Sequence, residues 1–170
     1  MNLFATIGPL VDGGIILSGH TDVVPASSEG WQGDPFILRR DKGRLYGRGA
    51  VDMKGFVAIV LAAVPDFVAL REKLRVPIHL AFTFDEEVGC FGSARMPDFL
   101  ARNCISAEMA IIGEPTEMCP FIGHKGGMEL SAEINGTSGH ASKPAGKVNS
   151  IFFAARLIEF INKTANDIAS

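Results

Sequence analysis

No apolar run in this 170-residue sequence approaches the roughly 20 residues that a membrane-spanning helix requires. The start, Met1-Asn2-Leu3-Phe4, has no basic segment ahead of an apolar one, so a secretory signal is not expected. Positive charge is not in excess either. A net charge of −3 argues against a nucleic-acid-binding surface. Cysteine is scarce: Cys90, Cys104 and Cys119 make an odd set with no Cys-x-x-Cys pair, which fits a reduced, cytoplasmic protein with structural thiols. Internal repeats and low-complexity tracts are absent. The glycine-rich stretch Gly47 to Gly55 lacks both the Gly-Lys-Ser/Thr of a phosphate loop and the dinucleotide spacing. It reads as a tight turn carrying Asp52. With 47% hydrophobic and 21% charged residues, the remaining balance is that of an ordinary soluble globular chain.

The chain does carry three apolar, β-branched runs that end alike. Ile15-Ile16-Leu17-Ser18-Gly19-His20-Thr21-Asp22 stops at a glycine and presents a histidine and a carboxylate. Ile78-His79-Leu80-Ala81-Phe82-Thr83-Phe84 delivers Asp85-Glu86-Glu87, and Ala110-Ile111-Ile112-Gly113 delivers Glu114-Pro115. Such runs read as strands of a parallel sheet, and open α/β sheets place ligands at the carboxyl edge. Leu3 to Ile7 is a further short strand. Pro35 to Arg40 and Arg44 to Tyr46 are expected to pair as a hairpin across Asp41-Lys42-Gly43. Phe56, Ile59, Val60, Ala63, Phe67 and Leu70 recur at helical spacing, and Pro65 should kink or split that helix. A short helix is expected near 93–102. The sum is an α/β plan: a mainly parallel sheet with flanking helices.

Beyond Gly126 the pattern changes. Met128, Leu130, Ala132 and Ile134 alternate with Glu129, Ser131, Glu133 and Asn135, which predicts a half-covered strand of an antiparallel sheet. From about Val148, residues Ile151, Phe152, Ala155, Ile158 and Ile161 mark an amphipathic helix. The expected domains are therefore 1–126 and 127–170.

A hydrolytic centre with two divalent metals needs imidazole, hard oxygen ligands, a carboxylate able to bridge the ions, and another left free as base. His20, Asp52, Glu86, Glu87 and Glu114 supply that inventory. Taken singly, each has an ordinary reading. A histidine after a strand is usually a satisfied structural residue, paired glutamates make a solvated turn, and an aspartate before a helix caps it. Taken together they differ, because unrelated surface accidents would not select one edge of one sheet.

The ordered set Gly19-His20-Thr21-Asp22-Val23-Val24-Pro25, Tyr46-Gly47-Arg48-Gly49, Asp52-Met53-Lys54-Gly55, Asp85-Glu86-Glu87 and Gly113-Glu114-Pro115-Thr116 resembles the M20 metallopeptidase and deacylase family. Glu86 to Gly92 and Gly123-His124-Lys125-Gly126 are similar to its deacetylases rather than its desuccinylases. The resemblance implies a zinc-peptidase-like catalytic domain followed by part of an α+β lid that dimerises. It implies a metal-dependent amide hydrolase acting on a small N-acyl amino acid. His20 and Glu114 would bind one zinc, Glu87 the second, and Asp52 would bridge both. Cobalt or manganese would suit the same mixed nitrogen and oxygen donors. Glu86 would be the general base and acid, and Asp22 would support His20. His140, in Ser138-Gly139-His140, would reach the active site of a second copy and polarise the scissile carbonyl.

The family pattern also asks for a further histidine on the second metal, a helix and strand ahead of Leu3, and a fuller lid. Of the histidines present, His79 reads as core and His124 lies in the wrong segment. The sequence therefore reads as part of a larger enzyme. Alone, it is expected to bind one zinc well and a second poorly, to self-associate, and to hydrolyse amides weakly. Two other readings stand beside it: another hydrolase of the family (desuccinylase, aminoacylase or carboxypeptidase), and a non-catalytic remnant that only dimerises.

Overall fold

The computed structural model of the chain describes residues 1–140, 142–143 and 145–169. Its strands are β1 (Leu3–Ile7), β2 (Ile15–His20), β3 (Arg39–Asp41), β4 (Arg44–Tyr46), β5 (Ile78–Thr83) and β6 (Met109–Ile112). Its α-helices are α1 (Lys54–Ala69), α2 (Met96–Arg102) and α3 (Ser150–Ala169). Two compact units, Met1–Phe121 and Ile122–Ser170, divide the chain.

In the first unit the sheet order is β1-β5-β2-β6, with β2 parallel to both β5 and β6 and β1 antiparallel at one edge. The mainly parallel sheet implied by the apolar runs is thus present, with one antiparallel strand added. Strand β5 is buried from His79 to Thr83 because it lies between β1 and β2. Val60 of α1 meets Leu80 and Phe82 at the centre of the core, with Phe56, Val57 and Val64 packed around them. Positions 56, 60 and 64 fall on one helix face; of the residues expected at helical spacing, Phe56 and Val60 join this core, whereas Ile59 and Leu70 are exposed. His79 is buried, stacks on Phe4 and bonds to the Thr6 hydroxyl at 2.9 Å, a core role as its position within the strand implies.

Several local expectations change. Helix α1 runs unbroken through Pro65. Proline removes one hydrogen bond, but Pro65 lies on the exposed face, where the freed carbonyl is open to solvation. The hairpin is shorter than expected on its first side, since Phe36, Ile37 and Leu38 are not strand. Asp34 takes the Phe36 amide on its side chain at 2.8 Å and the Ile37 amide on its carbonyl at 3.2 Å, turning the chain before a ladder can begin. Lys42 and Gly43 both have positive φ, which suits the tight turn joining β3 to β4.

In the second unit the expected strand from Met128 to Asn135 does not form. Alternation selects a face but supplies no neighbour, and a lone strand leaves its ladder unmade. Met128 and Leu130 are 84% and 83% exposed. The helix expected from Val148 begins at Ser150, where the Asn149 side chain accepts the Ile151 amide at 3.0 Å as a cap.

Candidate metal centre

Parallel register brings the three chain ends to one edge of the sheet. His20, the last residue of β2, pairs level with Thr83, the last of β5, and Ser18 pairs with Ile112, the last of β6. Gly113 prolongs β6 by a bond from its amide to the Ser18 carbonyl, and Glu114 follows. The start of α1 closes over this edge. It can do so only because two positions lack a side chain. A Cβ on Gly19 would meet Met53 and Val57 at 3.0 and 3.1 Å, and one on Gly113 would enter the Phe56 ring.

His20 is 2% exposed and sits at the centre of the cluster. Its Nδ1 lies 3.0 Å from the backbone carbonyl of Asp22, which can only accept, so this nitrogen carries a proton. Its Nε2 lies 3.0 Å from Asp52 Oδ1, 3.8 Å from Glu114 Oε1 and 4.0 Å from Glu86 Oε2. A bare lone pair facing three carboxylates is electrostatically unfavourable, and a cation at Nε2, either a proton or a metal ion, relieves it. Burial opposes protonation most strongly. The hydrogen bonds to Asp52 and the Asp22 carbonyl, with the charges of Glu114 and Glu86, outweigh it and hold His20 above its ordinary pKa. Burial and the neighbouring charge of Asp52 likewise push Glu114 up.

Asp52 does not cap α1. Met53 occupies the cap position and no side chain caps the helix, which leaves the Asp52 carboxylate facing His20. The Asp52–Met53 peptide bond is cis. Met53 itself is wholly buried, with its sulfur 3.3 Å from the His20 amide, a packing role that sequence reasoning did not assign to it. The turn after β5 carries Glu86 and Glu87, and the Glu87 amide donates to Asp22 Oδ2 at 3.0 Å. Burial disfavours the Asp22 charge, but bonds from the amides of Glu87, Glu86 and Asp22 itself hold its carboxyl below the ordinary value. Cys90, read from the sequence as a structural thiol, is exposed. Its thiol lies 3.6 Å from Glu86 Oε1, and only the four-residue spacing within a turn could have hinted at it.

Among the described residues, two groups place their ligand atoms within 4.8 Å of one another: His20 with Asp52 and Glu114, and His20 with Glu86 and Glu87. The donor set, one imidazole among hard carboxylates, fits a divalent cation. Asp52 and Glu87, paired by the resemblance on a second ion, do not fall in a common group. His140 lies in the second unit, exposed, its Nδ1 held 2.8 Å from the Ser142 hydroxyl.

The model of the family described as Peptidase family M20/M25/M40 matches residues 16–167. The chain belongs to this family. An acetylornithine deacetylase from Proteus mirabilis is 42% identical over 150 residues, covering 88% of this chain and 37% of its own length. Its counterpart from Yersinia pseudotuberculosis is 43% identical over 154 residues, with 88% and 38% covered. The chain thus spans somewhat over a third of the curated relatives it matches. Human carnosine dipeptidase 1 superposes with a TM-score of 0.57 at 33% identity, over 65% of this chain and 24% of that one. An M20 metallo-carboxypeptidase from Sulfolobus solfataricus gives 0.51 at 26% identity, over 66% and 25%. No described helix is long and apolar enough to cross a membrane.

Proposed function

We propose that the protein is a zinc-dependent amidohydrolase that removes the acyl group from an N-acyl amino acid, foremost N-acetyl-L-ornithine, in the cytoplasmic synthesis of arginine. The observation that carries the metal reading is His20, whose Nε2 faces Asp52, Glu114 and Glu86 while its Nδ1 is committed to a carbonyl. The substrate reading is supported by the acetylornithine deacetylases at 42% and 43% identity.

In this reading His20, Asp52 and Glu114 would hold one ion, and Glu87 would help to hold a second. Divalent cations supply an acidified water and an electrophile for the amide carbonyl. The chain's own residues do the rest. Asp22 keeps the His20 strand end in place, and its carbonyl fixes the ring so that Nε2 points into the cluster. Glu86 takes the proton of the attacking water and returns it to the leaving amine. Its Oε2 lies 4.0 Å from His20 Nε2, at the border of the cluster. His140 of a second copy lends positive character to the carbonyl oxygen. Dimerisation runs through the second unit, where Ile151, Phe152, Ile158 and Ile161 expose an apolar helix face.

Calorimetric titration of the metal-free chain with zinc tests the site: one ion held firmly and a second weakly is expected, and two equally tight ions would contradict it. For the whole protein, a substrate panel is decisive. N-acetyl-L-ornithine should be hydrolysed fastest. A preference for dipeptides would favour the second reading, another hydrolase of the family, for which the likeness to carnosine dipeptidase 1 speaks.

A further inference from the structure

Asp22 stands beside His20, yet its carboxylate does not grip the ring. His20 Nδ1 is 3.0 Å from the Asp22 carbonyl oxygen and 3.5 Å from Oδ1, beyond a good hydrogen bond. The short bond made by the carboxylate goes elsewhere, from the Glu87 amide to Oδ2 at 3.0 Å, across 65 residues of sequence.

That bond occupies a mechanically important place. After β5 the chain turns at Asp85, whose φ is +55°, and folds back on itself. Most bonds of this turn are internal: the amides of Gly89 and Cys90 reach the Glu86 carbonyl, and the amide of Gly92 reaches the Phe84 carbonyl. Its far end is moored to the sheet by Asn2, whose side chain donates to the Gly92 carbonyl at 2.8 Å. At the near end, where Glu86 and Glu87 lie, the mooring is Asp22.

We infer that Asp22 is a positioning residue for the Glu86–Glu87 turn, tying it to the end of β2 through the Glu87 amide. His20 belongs to both groups of ligand atoms, and Asp22 is the link that keeps the Glu86–Glu87 group in register with the Asp52–Glu114 group. An acceptor that carries full charge makes this a strong bond. The functional weight rests on the reading of Glu86 as base and Glu87 as ligand; the bond itself does not.

Amide hydrogen exchange of the metal-free chain, followed by NMR, tests it without any zinc. In Asp22→Ala the Glu87 amide should exchange about ten- to a hundredfold faster, the loss expected for a bond to a charged acceptor. The His20 Nδ1 resonance should stay in place, since a backbone carbonyl holds that nitrogen. Glu87 exchange within about threefold of the parent chain would overturn the assignment. So would a displaced His20 resonance with Glu87 still protected, which would return the carboxylate to the ring. Should Asp22→Ala fail to fold, Asp22→Asn keeps the shape and an acceptor oxygen but not the charge. Its Glu87 amide proton should then move upfield, and an unmoved resonance would overturn the inference.

Discussion

Strand β5 and the stretch from Met128 to Ile134 are both rich in apolar residues, yet one is buried over nearly its whole length and the other is open to solvent. The difference lies in neighbours rather than composition. β5 has β1 on one side and β2 on the other, with α1 across its face. Met128 to Ile134 has no strand beside it among the described residues. An apolar side chain gains stability only when another surface removes it from water, and a ladder forms only when a second backbone answers the first. Strand β6 lies between these extremes. It pairs with β2 along one edge, has no neighbour on the other among the described residues, and leaves Met109, Ile111 and Ile112 between 44% and 62% exposed.

The largest expected effect lies at the end of the well-paired strand. In the whole protein, Glu86→Gln should lower turnover by about two to four orders of magnitude, the usual share of a positioned acid–base group, with bound metal unchanged. Steady-state rates alongside metal analysis would check both halves, and a variant that keeps its turnover removes Glu86 from its assigned role.

The core comes next. Phe82→Ala should cost about 3–5 kcal/mol of folding free energy in urea denaturation, because the cavity opens against Leu80 and Val60. A loss below about 1 kcal/mol would mean that β5 is not the centre of the core.

Proton linkage gives a smaller and signed effect. In the metal-free chain His20 and Glu114 hold their protons more tightly than usual. The stability they contribute is fully present below their ordinary values, and it is lost as the pH rises through the raised ones. For His20 this window lies above about pH 6.5. Asp22, with a lowered pKa, acts in the opposite sense: its contribution is present above the ordinary carboxyl value and is lost as pH falls through the lowered one. The denaturation midpoint should therefore decline above about pH 6.5, and zinc, by taking the place of the proton at Nε2, should abolish the decline. A midpoint that rises over that range without zinc would contradict the shared-cation account of His20.

The smallest effect is expected in the unpaired stretch. Met128→Ala should change stability by less than about 0.5 kcal/mol, as for any exposed position without special contacts. A loss comparable to that of Phe82→Ala would show that Met128 is covered in solution.

Much of this was legible beforehand. Ile15 to His20, Ile78 to Thr83 and Met109 to Ile112 were readable as strands because apolar, β-branched runs of that length have few other stable uses. That His20, Glu86, Glu87 and Glu114 share an edge followed from the rule that parallel strands end together. Pro65 and Pro35 to Leu38 were read less well, since solvent exposure and the side chain of Asp34 decided them. The alternation from Met128 to Asn135 was misread because periodicity describes a face, whereas strand formation needs a partner. The family motifs identified Asp22 as an auxiliary of His20, but nothing in the spacing of residues 22 and 87 foretold their bond.

The sequence alone determined which side chains could bind a cation and which chain ends would present them, because hydrophobic run length and residue chemistry are local properties. Only the tertiary structure decided that His20 Nε2 faces Asp52, Glu114 and Glu86, that Met53 rather than Asp52 stands at the start of α1, and that Asp22 holds Glu87. Those outcomes depend on strand register and on the close approach of α1 at Gly19 and Gly113, and both are set by contacts between residues far apart in the chain.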